Sequence, residues 1–304
     1  MNESELLALC ERCNTHQLVV VQDGETVLDA CWGDATPSTT LDIASAQKSI
    51  VSMAIGALVA DGTLDLDAPA STWLGGGWTR TTPDEERSIL LRHLVTMTSG
   101  LYDDFTRECE PGTTWYYNNN AYHQARKIVE AATGRSGQDA FADLVFGPAG
   151  MTDSPQWIAR AWMVDPNGWV LSGLHLSARD LARFGTSVLA RLDDPWVQAA
   201  FAPSQELNPA YGLLWWRLGA PRGVVPDWKP QPDHPLKAFG ARAVDGPLAP
   251  SAPADTVAAL GAGDQKLYFV PSRSMVVARL GQAAHARGDA AASRFDEELW
   301  EVLA

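Results

Sequence analysis

The sequence predicts an α+β protein in which strands from both chain termini form one antiparallel sheet flanked by helices, with a mostly helical lobe inserted between them. Three observations carry this. Strand-like runs gather at the two ends, helical patterns fill the middle, and the most apolar helix opens just after the first strands, at Ala44-Ser45-Ala46-Gln47-Lys48-Ser49-Ile50-Val51. The division is residues 1–40 plus 240–304 for a discontinuous α/β lobe and 41–239 for the helical lobe.

Taken in order, residues 4 to 13 read as a short helix. Gln17 to Gln22 and Thr26 to Trp32 read as strands of a hairpin turned by Asp23-Gly24. The helix from Ser45 runs through Val51, Met53, Ile55 and Leu58 and stops at Asp61-Gly62, where glycine suits a left-handed end; apolar nearly all round, it is a buried helix. Ser88 to Val95 is a second apolar helical stretch ending at Thr98-Ser99-Gly100. Pro111 to Tyr122 packs aromatics and amides together. Helical patterns return at Ala121 to Ala132, Gly137 to Val145 and Ala178 to Leu192, the last capped by Ser177. Pro and Gly dominate Pro221 to Pro253, which reads as a long irregular crossing. Thr256 to Leu260, Lys266 to Pro271 and Met275 to Leu280 give three closing strands, and Ala290 to Leu303 a final helix.

At 304 residues and 46% hydrophobic content, the chain has enough apolar mass for a large core or two lobes. Its formal charge of -14 argues against nucleic acid and anionic membrane surfaces as partners. The start, Met1-Asn2-Glu3-Ser4-Glu5, lacks the basic and apolar segments of a signal peptide, and no apolar run reaches membrane-spanning length, so a cytoplasmic protein is expected. Cys10 and Cys13 are spaced like half of a metal site, but no second close Cys or His pair completes it. His16, His93, His123, His175, His234 and His285 are isolated along the chain. No metal and no cofactor is expected.

Ser45 and Lys48, three apart, lie on neighbouring turns of one helix face. A serine hydroxyl needs a base to become a nucleophile. Burial against the apolar helix and the positive end of its dipole would lower the Lys48 pKa toward that use. The helix start also aims backbone N–H groups at an oxyanion. The same four residues also describe a capping serine followed by a solvated lysine, and only further landmarks separate the two.

Those landmarks follow. Ser45-x-x-Lys48, Leu94-x-Thr96-Met97-Thr98-Ser99-Gly100-Leu101, Pro111-Gly112 through Trp115, Tyr117-x-Asn119-x-x-Tyr122, Gly147-Pro148-x-Gly150-Met151 and Ser177 to Gly185 occur in the order found in the serine β-lactamase and penicillin-binding-protein superfamily. The chain resembles its class C β-lactamase-like hydrolases, including family VIII carboxylesterases and 6-aminohexanoate-dimer hydrolases. The resemblance implies a β-lactamase/transpeptidase-like fold with the active site in the cleft between the lobes. It also implies Ser45 as acylated nucleophile, Lys48 as its base, Tyr117 as the proton-shuttling tyrosine and Asn119 as a polar positioning group. A phenol beside an ammonium is expected to have a depressed pKa. Tyr116 is the competing tyrosine; Asn119 at the motif spacing favours Tyr117.

The third motif departs from the family. Where Lys-Thr-Gly or His-Thr-Gly is expected, counting back from Phe269-Val270-Pro271 leads to Val257 through Gln265, in which no cation is present. A backbone N–H from Leu260, or else Ala259, beside Gly261, could still complete an oxyanion site. Recognition of a β-lactam carboxylate is put in doubt, and uncharged esters or linear amides are favoured as small-molecule substrates. Trp115, Tyr117 and, further off, Trp157, Trp162 or Trp169 are candidates to line the site. The expectation is a serine hydrolase working through an acyl-enzyme. The alternatives are an acyltransferase of the same fold, a β-lactamase or D-alanyl-D-alanine carboxypeptidase, and a non-catalytic binding protein.

Overall fold

The computed structural model describes residues 2–227, 236–285 and 292–303; His234 and the first residues of the helix expected from Ala290 lie outside them. Asn2 caps α1 (Glu3–Arg12) by accepting from the Glu5 N–H, and Leu6, Leu9 and Cys10 form its buried face. β1 (Thr15–Gln22) and β2 (Glu25–Cys31) make the hairpin, with Gly24 at φ 83° in its turn. Leu18 to Val21 are continuously buried, the signature of a strand covered on both faces, whereas β2 is largely exposed and carries charge at the sheet's edge.

β3 (Leu41–Asp42) leads into a 3₁₀ turn at Ala44–Ala46, which runs directly into α2 (Gln47–Ala60). The sequence led us to expect one helix through Ser45; the chain instead takes a tighter turn there and becomes α-helical only at Gln47. α2 is buried almost all round, and at Gly56 the Trp196 indole occupies the place of a side chain, 2.3 Å from where a Cβ would stand. α3 (Ser71–Leu74), α4 (Pro83–Arg87) and α5 (Leu91–Val95) are short. α6 (Asn119–Thr133) starts on the Asn118 cap and ends at Gly134 in the left-handed region; α7 (Gly137–Phe141) continues into a π turn at Ala142–Phe146.

β4 (Gln156–Val164) and β5 (Val170–Leu176) pair, and β3 adds to β5 through Leu41↔Leu176 and Asp42↔His175. This small sheet, absent from the sequence reading, lies directly behind the Ser45 turn. Ser177 caps α8 (Ala178–Leu189) as expected, accepting from Asp180 N–H, and α9 (Pro195–Phe201) follows.

β6 (Trp216–Arg217) joins the main sheet. The stretch read as an irregular crossing contains an antiparallel ribbon, β7 (Arg222–Asp227) with β8 (Gly240–Asp245), in which Pro226 faces Ala241. Val224, two residues earlier, turns its backbone outward to the Asn208 side chain, so by the strand's period of two the N–H that Pro226 lacks would face the outer edge and not the β7–β8 ladder. β9 (Val257–Gly261), β10 (Gln265–Val270), β11 (Met275–Gly281) and α10 (Arg294–Leu303) close the chain.

The main sheet runs β2-β1-β11-β10-β9-β6, antiparallel throughout. Leu267 meets α8 at Gly185, while its neighbour Tyr268 points to the other face, stacking edge-on against Trp300 of α10 at 5.4 Å. On that face Asp296 accepts from Lys266 Nζ at 2.9 Å and from Tyr268 Oη at 2.7 Å, so the buried charges are paired. β6 and α8, both from within residues 41–239, therefore pack with the terminal strands. No helix among the described residues is long and apolar enough to cross a membrane.

Candidate active site

The turn that carries Ser45 is held from three sides. Ala44 adopts φ 48°, unusual for a residue with a Cβ, and the Asp42 carboxylate secures it by accepting the Ala44 N–H at 2.8 Å. Arg160 of β4 clamps that carboxylate, with Nε 2.9 Å and Nη2 2.6 Å from Oδ2. From β5, the Leu174 carbonyl accepts the Ile43 N–H at 3.0 Å and its N–H donates to the Gln47 side chain at 2.9 Å. On the third side β9 presses in at Gly261, where a Cβ would lie 2.3 Å from the Ile43 carbonyl oxygen and 3.2 Å from Ala46 N.

Lys48 is buried, and its Nζ stands 3.1 Å from Ser45 Oγ and donates to Asn119 Oδ1 at 2.8 Å. The rings of Tyr122 and Tyr117 face the same nitrogen, at 4.4 and 4.8 Å from their centroids. Burial, and after it the Arg160 guanidinium, holds the Lys48 pKa well below its ordinary value. A neutral amine at this place can accept a proton.

Burial pushes the Tyr117 pKa up, and the Ser45 hydroxyl, which pulls it down, offsets this only in part. This corrects the expectation of a depressed phenol. The expectation weighed the ammonium beside it and not the loss of water around the phenol, and burial is the larger effect. Tyr116 points elsewhere, bonding its hydroxyl to Asp103 and receiving the Ala238 N–H at 3.0 Å. The segment bearing both tyrosines is hung on the stretch after α5, with Tyr116 N–H on the Met97 carbonyl at 2.9 Å and Gly112 N–H on that of Thr98 at 2.8 Å. Asn118 then fixes the start of α6, donating to the Leu101 carbonyl at 2.9 Å while accepting from Ala121 N–H. Asn119 is thereby aimed at Lys48.

β6 covers only part of the outer edge of β9, pairing Trp216 with Ala258 and Arg217 with Val257. The Thr256 carbonyl accepts from Leu218 N–H across that edge. By the strand's period of two, Ala258 and Leu260 turn their backbone groups to the same edge, and Ala259 and Gly261 turn theirs to β10. Leu260 thus offers its N–H beside the Ser45 turn, while Gly261 makes the close contact.

Trp115 and Tyr117 belong to an aromatic group with Tyr211, Trp216 and Phe239: Tyr117 stacks on Trp216 at 6.0 Å, Phe239 stands edge-on to Tyr117 at 6.1 Å, and Tyr211 meets Trp216 at 4.8 Å. Trp157 and Trp169 instead hold Arg126 between them, each 4.7 Å from its guanidinium carbon, and Trp162 is 80% exposed. Asp42, Arg160, Tyr211, Trp216 and Phe239 were not singled out from sequence. Lys237 is engaged by Glu108 and lies over the Tyr116 ring at 4.8 Å.

The chain is 32% identical over 149 residues to esterase EstB of Burkholderia gladioli; the match covers 38% of this chain and 38% of that relative's length. Among solved structures it resembles the penicillin-binding protein from Bacillus halodurans (18% identity, TM-score 0.66, 98% of each chain). It also resembles the octameric penicillin-binding protein homologue from Pyrococcus abyssi (17% identity, TM-score 0.65, all of this chain and 77% of that one). At these identities what is shared is the fold, the β-lactamase/transpeptidase-like arrangement of antiparallel sheet and helices. A family model described as Beta-lactamase matches residues 11–299, from within α1 to within α10, and on that match this chain belongs to the β-lactamase family.

Proposed function

We propose that this protein is a serine hydrolase that cleaves small-molecule esters or linear amides through an acyl-enzyme on Ser45. The observation that carries the reading is the buried Lys48 amine 3.1 Å from Ser45 Oγ, with its pKa held well down. Lys48 takes the Ser45 proton as Oγ attacks the carbonyl carbon. The N–H groups of Ser45 and Leu260 receive the oxyanion, with Ala259 and Gly261 keeping β9 in place. When the tetrahedral intermediate collapses, the leaving group takes a proton from Tyr117, which is replenished from Lys48. Water then attacks the acyl-enzyme by the same relay in reverse. A neutral phenol suits this role as a donor. Asn119 orients the amine through its 2.8 Å hydrogen bond. In this reading the cleft lies between the α/β lobe of residues 1–40 and 240–304, which supplies β9, and the helical lobe of 41–239, which supplies the side chains.

The similarity to an esterase supports an ester substrate. So do the uncharged residues of β9 and the aromatic wall of Tyr117, Trp216 and Phe239, which favour an acyl or leaving group with no ion to desolvate. The test is labelling with a fluorophosphonate or a slow p-nitrophenyl ester, followed by intact mass and peptide mapping. One adduct on Ser45, lost in Ser45→Ala, is expected. An adduct on Ser49 or Ser99, or none at all, would overturn the assignment.

A further inference from the structure

Where β1 pairs with β11, the two ends of the chain meet. Cys13 caps the C-terminus of α1, its N–H on the Leu9 carbonyl at 3.0 Å and its own carbonyl held by buried Arg279 Nη2 at 2.7 Å. Glu298 projects from α10, and His285 follows β11. Their ligand atoms converge: Cys13 Sγ lies 3.8 Å from Glu298 Oε2, His285 Nε2 lies 3.1 Å from the same oxygen, and all three fall within 4.8 Å of one another. The other carboxylate oxygen, Oε1, is taken by Arg294 Nε at 2.7 Å. Sequence spacing conceals the set, because its members stand at 13, 285 and 298.

The distances can be compared with those around a metal. With Zn–S of about 2.3 Å and Zn–N or Zn–O of about 2.0–2.1 Å, the edges of a tetrahedron are about 3.6 Å for S···O and about 3.3 Å for N···O. The two edges to Glu298 Oε2, 3.8 and 3.1 Å, differ from these by only a few tenths of an ångström, and the third, between Cys13 Sγ and His285 Nε2, lies within 4.8 Å against about 3.6 Å in the tetrahedron. A thiolate, an imidazole and a carboxylate together suit zinc far better than magnesium or calcium, which take oxygen ligands. The division of the carboxylate, Oε2 inward and Oε1 on Arg294, is the outer-sphere support that ligating carboxylates commonly have.

We propose that Cys13 Sγ, His285 Nε2 and Glu298 Oε2 bind one Zn²⁺ per chain, with water as the fourth ligand, and so fasten α1 to α10. Binding releases the Cys13 thiol proton to solvent and uses the neutral imidazole.

The test is a Co²⁺ titration of chelator-treated protein under reducing conditions, followed by displacement with Zn²⁺. One Co²⁺ per chain is expected, with a thiolate-to-cobalt charge-transfer band and the visible absorption of a tetrahedral ion, both removed by one equivalent of Zn²⁺. His285→Ala and Glu298→Gln, at partly exposed positions that folding should tolerate, weaken binding at least about 10-fold. Cys13→Ser abolishes the charge-transfer band, and Cys31→Ser with Cys109→Ser leaves it intact. Zn²⁺ raises the Tm of the wild type and not of His285→Ala. A missing charge-transfer band, or Co²⁺ affinity unchanged in both His285→Ala and Glu298→Gln, would overturn the proposal.

Discussion

Gly261→Ala tests how closely β9 must approach the nucleophile turn. The added Cβ would sit 2.3 Å from the Ile43 carbonyl oxygen, against 3.4–4 Å for an ordinary contact. The opposing atoms are backbone, and cannot swing aside as the end of a long side chain would. Strand and turn must therefore separate by about 1 Å, a displacement that in an active site costs on the order of 10²-fold in rate, roughly 2.7 kcal/mol. Because the turn bears Ser45 and the strand bears the Leu260 N–H, the loss should fall mainly on kcat. Steady-state hydrolysis of p-nitrophenyl acetate measures it, with circular dichroism and Tm establishing that the variant is folded. A folded Gly261→Ala enzyme with kcat within a factor of about three of wild type would refute the coupling of β9 to the Ser45 turn.

Three other outcomes follow from the site. Tyr117→Phe should lower kcat about 10²-fold or more with little change in KM, while Tyr116→Phe, whose hydroxyl serves Asp103 and Ala238, should stay near wild type in ester turnover; the reverse pattern would move the role one residue back. If Lys48 is the base proposed, its unprotonated amine is the active form, and with its pKa lowered by burial and by Arg160, kcat/KM should rise with pH through that lowered value. Arg160→Gln removes the positive charge, raises the Lys48 pKa and should move the acid limb to higher pH, and an unmoved limb would refute the electrostatic link. With the third motif lacking a cation, nitrocefin should be the poorer substrate beside p-nitrophenyl butyrate, since one lost hydrogen bond to a charged group costs about 1.5–3 kcal/mol, roughly one to two powers of ten. A kcat/KM ratio strongly favouring nitrocefin would mean that a cation such as Lys237 leaves Glu108 to fill that place.

What could be read from sequence was what local pattern encodes. The terminal hairpin, the buried helix after Ser45, the Ser177 cap and the three closing strands all announce themselves through runs of apolar residues or turn residues, and the structure has them within a few positions. β4 was missed because its burial does not alternate: Ile158, Trp162 and Val164 are exposed, so the period of two that marks a half-buried strand is absent. β3 is two residues long and has no pattern to find. The ribbon β7–β8 was hidden by its prolines and glycines. In the site, the proximity of Ser45 to Lys48 follows from helical spacing. The Asp42–Arg160 clamp joins residues 118 positions apart and exists only through β3–β5–β4 pairing. The Tyr117 pKa went astray for a related reason: spacing shows which groups are neighbours but not how much water is left around them.

The order of strands in the main sheet has a consequence for synthesis. β1 is made well before its inner partner β11, and β9, which braces the Ser45 turn, comes only shortly before β11. A nascent chain that already holds Ser45, Lys48, Tyr117 and Asn119 therefore lacks the wall against which they are arranged. Pairings this distant in sequence form slowly, and domains generally fold as units while synthesis proceeds from the N-terminus. A chain interrupted before Val257 would carry every one of the proposed catalytic side chains and yet be inert, with the unpaired inner edge of β1 open to the wrong strand. The nucleophile proposed at Ser45 thus gains its wall only once β9 has been made.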